Sequence, residues 1–218
     1  MKRSTLLLAA FMSIIVLHSK SQEMGTFTDS RDGHIYKTVK IGSQTWMAEN
    51  LAFRTEGGDY YAYGEKIKNI EKYGYLYDYK MAVKACPSGW HLPYDSDWTK
   101  LSDFLKTSNV AGPLGYEDVV GIKLRTYDGW KPSKQTKKRK KEEFNTCGFS
   151  ALPGGYLLYN NLDTNKFGGY KYLGEQCIWW AQPNGGGNAL IRRIYDYSSV
   201  FERSGAFYGA FSVRCIEY

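Results

Sequence analysis

Aromatic side chains are the most numerous candidates for ligand contact in this sequence. It holds 19 tyrosines and six tryptophans among 218 residues. Aromatic faces stack on sugar rings, and a tyrosine adds a hydroxyl that can donate or accept a hydrogen bond. Six tyrosines fall in loop-like segments and are candidates for an exposed patch: Tyr60, Tyr61, Tyr63, Tyr159, Tyr170 and Tyr172. The candidate ligand contacts in the second half of the chain are Tyr159, Tyr170, Tyr172, Arg192 and Arg193.

Groups that could perform catalysis are sparse. Of three histidines, His18 lies in an apolar leader, and no serine stands in a G-x-S-x-G elbow that could use His91 as a base. We therefore interpret His91 as a buried, hydrogen-bonded residue that orients the start of a helix. Asp95 and Asp97 are two residues apart, so their carboxylates would not face each other on a helix, and capping is favoured. The sequence predicts no catalytic residue, no metal site and no cofactor.

The first residues resemble a secretory signal. Lys2 and Arg3 precede an apolar run from Leu6 to Leu17, and small residues flank Lys20 at positions 19 and 21. The run is too short to span a membrane, and no later segment approaches the required length. We expect a signal peptide at residues 1–21, a single domain at residues 22–218, and an exported protein that is secreted, periplasmic or at the cell surface.

The expected mature chain carries 26 basic and 22 acidic residues, a modest excess that is concentrated between Lys131 and Lys141. The remainder is nearly balanced, so the composition does not favour a nucleic acid as partner. A lysine run of this kind is usually a solvated, mobile loop. The alternative is electrostatic contact with an anionic polymer through the segment from Lys134 to Lys141, which should weaken with salt.

The hydrophobic pattern predicts an α+β fold with helices early and a twisted antiparallel sheet late. A β-hairpin is expected from residues 35–41 and 44–51, and residues 54–72 are expected to form a loop. Tyr73, Tyr75, Tyr77 and Tyr79 alternate, which predicts one face of an extended segment. Trp98, Leu101, Phe104 and Leu105 form an apolar stripe on a helix over residues 95–107. A short helix is expected at 119–124, and β-prone runs lie at 149–152, 156–159, 177–181, 190–197 and 207–216.

Several motifs, in order, resemble one known family. They are Asp29-Ser30-Arg31-Asp32-Gly33, Gln44-Thr45-Trp46-Met47-Ala48-Glu49-Asn50-Leu51, Cys86-Pro87-Ser88-Gly89-Trp90-His91-Leu92-Pro93, the segment from Gly148 to Tyr156, Trp179-Trp180, and Phe211-Ser212-Val213-Arg214-Cys215. Together they resemble the Fibrobacter succinogenes major paralogous domain, found mainly in exported proteins of Bacteroidetes and Fibrobacteres. The resemblance implies a C-type lectin-like fold, shared with formylglycine-generating enzymes, but it implies no particular function.

The sequence departs from the family pattern in three places. Tyr94 stands where the family has a threonine and Asp97 where it has a glutamate, so we expect Asp95 to cap the helix. Residues 131–143 form a lysine-rich insertion. Cys147 and Cys177 occupy positions that usually carry other residues, and they look like an added pair.

Four cysteines in an exported chain favour disulfides over metal ligands or free thiols. The resemblance implies a Cys86–Cys215 bridge that closes the fold, which leaves Cys147–Cys177 as the second expected bridge. The reactive cysteine pair of formylglycine-generating enzymes has no counterpart beside Cys215. Gln182-Pro183-Asn184 resembles the calcium and sugar triplets of C-type lectins, but the matching Trp-Asn-Asp set is missing, so we interpret it as part of a turn.

The expected function is therefore a non-catalytic, exported binding module that recognises a glycan or another surface polymer. The alternative is a structural or adhesin-type domain that binds a surface protein and has no small-molecule ligand.

Overall fold

The computed structural model describes residues 23–107, 119–134, 136–159 and 167–218; the expected signal peptide lies outside these residues. The strands in the described residues are β1 (Glu23–Thr28), β2 (Ile35–Ile41), β3 (Gln44–Met47), β4 (Tyr60–Tyr61), β5 (Leu76–Tyr77), β6 (Trp90–His91), β7 (Tyr156–Tyr159), β8 (Phe167–Lys171), β9 (Gln176–Ala181), β10 (Leu190–Tyr195), β11 (Glu202–Gly205), β12 (Gly209–Ser212) and β13 (Ile216–Glu217). The α-helices are α1 (Ile67–Tyr73), α2 (Tyr79–Ala85), α3 (Asp95–Thr107) and α4 (Val120–Leu124). Short 3₁₀ turns lie at Tyr63–Glu65, Thr136–Lys138 and Lys141–Glu143. The fold is mixed α+β, as predicted.

The predicted N-terminal hairpin is confirmed and forms the middle of one sheet. Its strands β2 and β3 pair in antiparallel register from Thr38–Met47 to Ile41–Gln44, and the sheet order is β1-β2-β3-β13-β6. The return strand ends at Met47, earlier than the expected Leu51. Strand β13 pairs with β3 through Ile216 and Trp46, so the end of the described chain lies beside the hairpin.

The second sheet has the order β11-β10-β9-β12-β5-β4, and β7 pairs with both β12 and β8. Its ladders are antiparallel except for β12 and β9, which run parallel at Ser212 and Trp179. The expectation of a purely antiparallel sheet is therefore wrong at this junction. The run at 149–152 forms only an isolated bridge between Ala151 and Arg125 rather than a strand.

Helix α3 has the predicted bounds, but one residue of its stripe is misassigned. Trp98, Leu101 and Leu105 are buried, whereas Phe104 is 45% exposed. Position 104 lies six residues after Trp98, which is about 120° away from its face at 100° per residue. The Phe104 ring instead covers Gly42, where an added Cβ would lie 3.0 Å from it.

The cap of helix α3 also differs from expectation. The Tyr94 N–H donates to Asp97 Oδ2 at 2.8 Å. In a capping box this bond is made by a glutamate three residues after the cap, and here Asp97 takes that role. Asp95 is not the cap, because its carboxylate binds Arg192 and Arg203. His91 Nε2 lies 3.3 Å from Asp97 Oδ2, which agrees with its interpretation as an orienting residue.

The alternating tyrosines do not form the predicted extended face. Helix α1 ends at Tyr73, Gly74 turns the chain with φ of 73°, and Asp78 starts α2 by accepting the Met81 N–H at 2.7 Å. Only Tyr77 of the four lies in a strand. Residues 54–72 likewise contain β4, a 3₁₀ turn and the start of α1 rather than a plain loop.

The second sheet separates two apolar clusters, because neighbouring residues on a strand point to opposite faces. Trp179 packs with Trp98 and Phe149 on one face, while Trp180 packs with Phe211 on the other. Trp90 and Trp98 are both buried, as predicted.

The two predicted disulfides have different outcomes. Cys86 and Cys215 are bonded, with their Cα atoms 5.9 Å apart, and they tie the end of α2 to the start of β13. Cys147 and Cys177 are free, buried thiols, so the second bridge is wrong. The Cys147 Sγ donates to the Lys123 carbonyl in α4 at 3.1 Å, which directs the thiol to that helix. Burial raises the pKa of Cys147 to about 12 and raises that of Cys177 further.

Candidate functional site

The ribbon of β7 and β8 divides the three candidate tyrosines between its two faces. Tyr159 and Tyr170 pack with Tyr61 and Tyr63 around Leu157, and we call these four tyrosines the Tyr61 cluster. Tyr172 lies on the other side of the ribbon, where its ring stacks on Tyr156 with centroids 5.8 Å apart. The structure therefore does not gather Tyr159, Tyr170 and Tyr172 on one surface.

The four rings of the Tyr61 cluster pack within the fold rather than forming an open surface. All four rings are half-buried, and burial is the main cause that raises their pKa values. The Tyr61 and Tyr159 hydroxyls are hydrogen-bonded to each other, beside the carboxylates of Asp59 and Asp78. Burial and the hydrogen bond to Asp59 raise the pKa of Asp78. These hydroxyls already have partners, so few polar groups remain for a ligand.

Arg192, a candidate contact, is a structural residue. It is only 5% exposed, and its Nη2 donates to Asp95 Oδ1 at 2.7 Å. The same carboxylate accepts from Arg203 Nε on β11 at 2.8 Å. This ion-pair cluster fastens β10 and β11 to the first turn of α3, so the Arg192 guanidinium is not available to a surface ligand.

Arg193 lies on the opposite face of β10, together with Tyr195. Its Nε donates to Glu202 Oε2 at 2.8 Å, and its guanidinium lies 5.1 Å from the Tyr195 ring centroid. Tyr195 stacks on Tyr197 with centroids 4.9 Å apart and an interplanar angle of 26°. A planar cation, a carboxylate and an aromatic pair therefore share one edge of the sheet.

The Tyr156–Tyr172 pair is continuous with this edge. The Gly155 N–H donates to the Gln176 carbonyl at 2.9 Å, and Gln176 pairs with Tyr195 across β9 and β10. Burial raises the pKa of Tyr156, and the nearby positive charge of Arg193 partly offsets this rise. We call the combined set the Arg193 surface; it consists of Tyr156, Tyr172, Arg193, Tyr195, Tyr197 and Glu202.

The backbone at Tyr172 presents its ring to solvent. Tyr172 has φ of 59°, a left-handed conformation that is uncommon for a residue with a side chain. Its carbonyl accepts hydrogen bonds from the Glu175 and Gln176 N–H groups, both at 3.0 Å, which holds this turn. The ring is 46% exposed. The Tyr197 ring is likewise 57% exposed, whereas Tyr156 and Tyr195 are buried beneath their partners, so Tyr172 and Tyr197 are the rings of this surface that are open to a ligand.

The lysine-rich insertion is partly ordered, in contrast to the expected mobile loop. It contains two 3₁₀ turns, and Arg139 pairs with Glu143 at 3.2 Å. Lys141 Nζ lies 3.6 Å from Asp128 Oδ2. Lys131 Nζ pairs with Glu175 Oε1 at 2.5 Å, and Lys134, Lys137, Lys138 and Lys140 are exposed. Contact of this segment with an anionic polymer stays a prediction.

Residues 39–217 match the Fibrobacter succinogenes major domain, which is most of the chain. The chain belongs to this family. No curated protein and no solved structure matches it.

In this Fibrobacter succinogenes major domain, the recognisable motifs meet in one buried polar network. Asn50 Oδ1 accepts from Arg214 Nε at 3.0 Å, from Arg214 Nη2 at 2.8 Å and from Trp179 Nε1 at 2.9 Å. Arg214 Nη1 donates to the Phe149 carbonyl at 2.6 Å. Burial lowers the pKa of Arg214 to about 9. The motifs are therefore accounted for by core construction, and sequence reasoning missed this network because its members are far apart in the chain.

The Gln182-Pro183-Asn184 triplet also makes hydrogen bonds within the fold. The Gln182 side chain donates to the Leu92 carbonyl at 2.7 Å, and Asn184 Oδ1 accepts the Ser96 N–H at 3.3 Å, so the Gln-Pro-Asn triplet supports the start of α3. The described residues hold no group of three or more His, Cys, Asp or Glu side chains arranged for a metal ion. No helix within them has the length and apolar character that a membrane crossing requires.

Proposed function

We propose that this protein is an exported, non-catalytic binding module that recognises a glycan through the Arg193 surface. The observation that carries the proposal is a pair of exposed rings, Tyr172 and Tyr197, each stacked on a buried tyrosine, beside the ion pair of Arg193 and Glu202. Exposed tyrosine rings provide apolar faces for the C–H surfaces of a sugar, and their hydroxyls can donate or accept directional hydrogen bonds. Arg193 and Glu202 add a donor fork and a carboxylate acceptor beside those rings.

Export is proposed from the secretory signal in the first 21 residues. The Cys86–Cys215 bond supports it, because disulfides form and persist mainly outside the reducing cytosol. We further propose that the fold is C-type lectin-like. The return of the chain to the N-terminal hairpin through β13, together with closure by that bond, supports this proposal.

A structural or adhesin-type domain is the second candidate. Strand β1 favours it, because this six-residue strand is largely exposed and lies at the edge of its sheet. An edge strand offers unpaired N–H and C=O groups to a partner strand. In this case the partner would be a surface protein rather than a sugar.

A glycan array with residues 22–218 tests the first candidate. Specific binding should fall at least tenfold in a Tyr172→Ala/Tyr197→Ala double variant, because both rings are exposed and contribute stacking area. Tyr94→Ala is the matched control, since Tyr94 is similarly exposed but lies beside His91, and it should bind like wild type. Equal binding by the double variant would exclude the Arg193 surface. Silence across the array, with recovery of a surface protein that a β1 deletion abolishes, would favour the second candidate.

A further inference from the structure

A separate cleft lies between the end of α1 and the two ends of the lysine-rich insertion. Its volume is about 370 Å³, within the range of small-molecule sites. The residues that line it and carry the argument are Lys72, Tyr127, Asp128, Lys141 and Phe144. We call it the Tyr127 cleft; it shares no residue with the Arg193 surface.

Tyr127 gives the cleft a fixed aromatic wall. Its ring is 47% exposed and packs edge-on against Phe144, with centroids 5.2 Å apart and an interplanar angle of 80°. Phe144 is itself buried, so the contact holds the tyrosine ring in place while leaving one side open. An exposed tyrosine wall of this kind suits the flat face of a pyranose ring.

The charges around the ring favour an anion. Lys141 Nζ lies 5.5 Å from the Tyr127 ring centroid, and Lys72 also lines the cleft. The neighbouring segment 131–143, which includes Lys141, carries seven basic and two acidic side chains. Lys72 and Lys141 therefore place two ammonium groups on the lining of the cleft, and Asp128, 3.6 Å from Lys141 Nζ, is its acidic member.

We propose that the Tyr127 cleft binds a carboxylated sugar unit, a hexuronic acid residue of an acidic polysaccharide. The sugar ring stacks on Tyr127, and its carboxylate lies near the ammonium groups of Lys72 and Lys141. Asp128 accepts a hydrogen bond from a sugar hydroxyl. A free phosphate would use the lysines alone and leave the aromatic wall without a role, so the combination favours an acidic sugar. This inference goes beyond the Arg193 surface and does not depend on it.

Calorimetric titration of residues 22–218 with a galacturonic acid trisaccharide and with a galactose trisaccharide tests the proposal. The acidic trisaccharide should bind at least tenfold more tightly than the neutral one. Tyr127→Ala should weaken its binding at least tenfold, whereas Tyr127→Phe should change it less than threefold because the ring is retained. A melting temperature close to wild type confirms that each variant is folded.

Two charge variants separate the cleft from general attraction. Lys72→Ala/Lys141→Ala and Lys134→Ala/Lys137→Ala remove the same charge, but only the first pair lines the cleft. The first should lose at least tenfold in affinity and the second less than threefold. Equal losses would overturn the proposal in favour of non-specific attraction to the lysine-rich segment. It is also overturned if wild type does not bind the acidic trisaccharide, if Tyr127→Ala binds normally, or if inorganic phosphate competes as effectively as the sugar.

Discussion

Replacement of Asn50 by alanine should be among the most destabilising single changes in this protein. Asn50 Oδ1 accepts three hydrogen bonds, two from Arg214 and one from Trp179, and its Nδ2 donates to the Tyr73 carbonyl at 2.8 Å. The variant leaves an indole N–H and part of a buried guanidinium without an acceptor. Each buried polar group without a partner costs about 1–3 kcal/mol, and more when it is charged. We therefore expect a loss of about 4 kcal/mol in the free energy of unfolding.

Urea denaturation measures this loss, with Gln44→Ala as the matched control. Gln44 is also a buried amide, but among the described residues its side chain makes one hydrogen bond, from Nε2 to the Asp97 carbonyl at 3.1 Å. Its replacement should cost about 1 kcal/mol. Asn50→Asp should cost less than Asn50→Ala, because it keeps the acceptor and adds a charge beside Arg214. A loss for Asn50→Ala below about 1.5 kcal/mol, or no greater than that of Gln44→Ala, would refute the network as the source of core stability.

Three further predictions concern the core. Removing the Cys86–Cys215 bond should cost about 5 kcal/mol, from the chain entropy of a loop with sequence separation 129, and peptide mapping should show Cys147 and Cys177 as free thiols; a Cys147–Cys177 crosslink would contradict the structure. Trp98→Ala should cost about 3–5 kcal/mol in urea denaturation and Phe104→Ala less than about 1 kcal/mol, because only the first leaves a cavity. Burial raises the folded-state pKa of Cys147 to about 12 and that of Cys177 further. The contribution of these two thiols to the free energy of unfolding is therefore complete below pH 9 and is lost as the pH rises above it. Between pH 9 and pH 10, the free energy of unfolding of a Cys147→Ala/Cys177→Ala variant should therefore fall by about 2 kcal/mol less than that of wild type. Equal falls would contradict the burial of two protonated thiols.

The elements that could be predicted from the sequence are those with local signals. Helix α3 has an apolar stripe and acidic residues in its first turn, and the hairpin has turn residues between two β-prone runs. The prediction of an extended segment from Tyr73 to Tyr79 was wrong, because alternation alone does not account for two residues that interrupt a strand. Gly74 adopts a positive φ and Asp78 caps a new helix, and both residue types are typical of such boundaries.

The candidate site was only partly predictable. The sequence singled out Tyr172 and Arg193, but it grouped Arg193 with Arg192, although adjacent strand residues point to opposite faces. Alternation on β10 was an available signal: it aligns Arg193 with Tyr195, and Tyr197 continues the same spacing. The contact between Tyr156 and this edge had no local signal, because it depends on how β7 lies beside β9.

The division between network and surface explains why membership of the family does not specify a ligand. Asn50, Trp179 and Arg214 belong to the recognisable motifs, and their hydrogen bonds are satisfied within the core. A substitution there would alter stability before it altered recognition. The exposed rings of Tyr127, Tyr172 and Tyr197 lie outside the motifs that identify the family and take no part in the hydrogen bonds of the network. Ligand choice can therefore vary between family members without changes in the motifs that define the family.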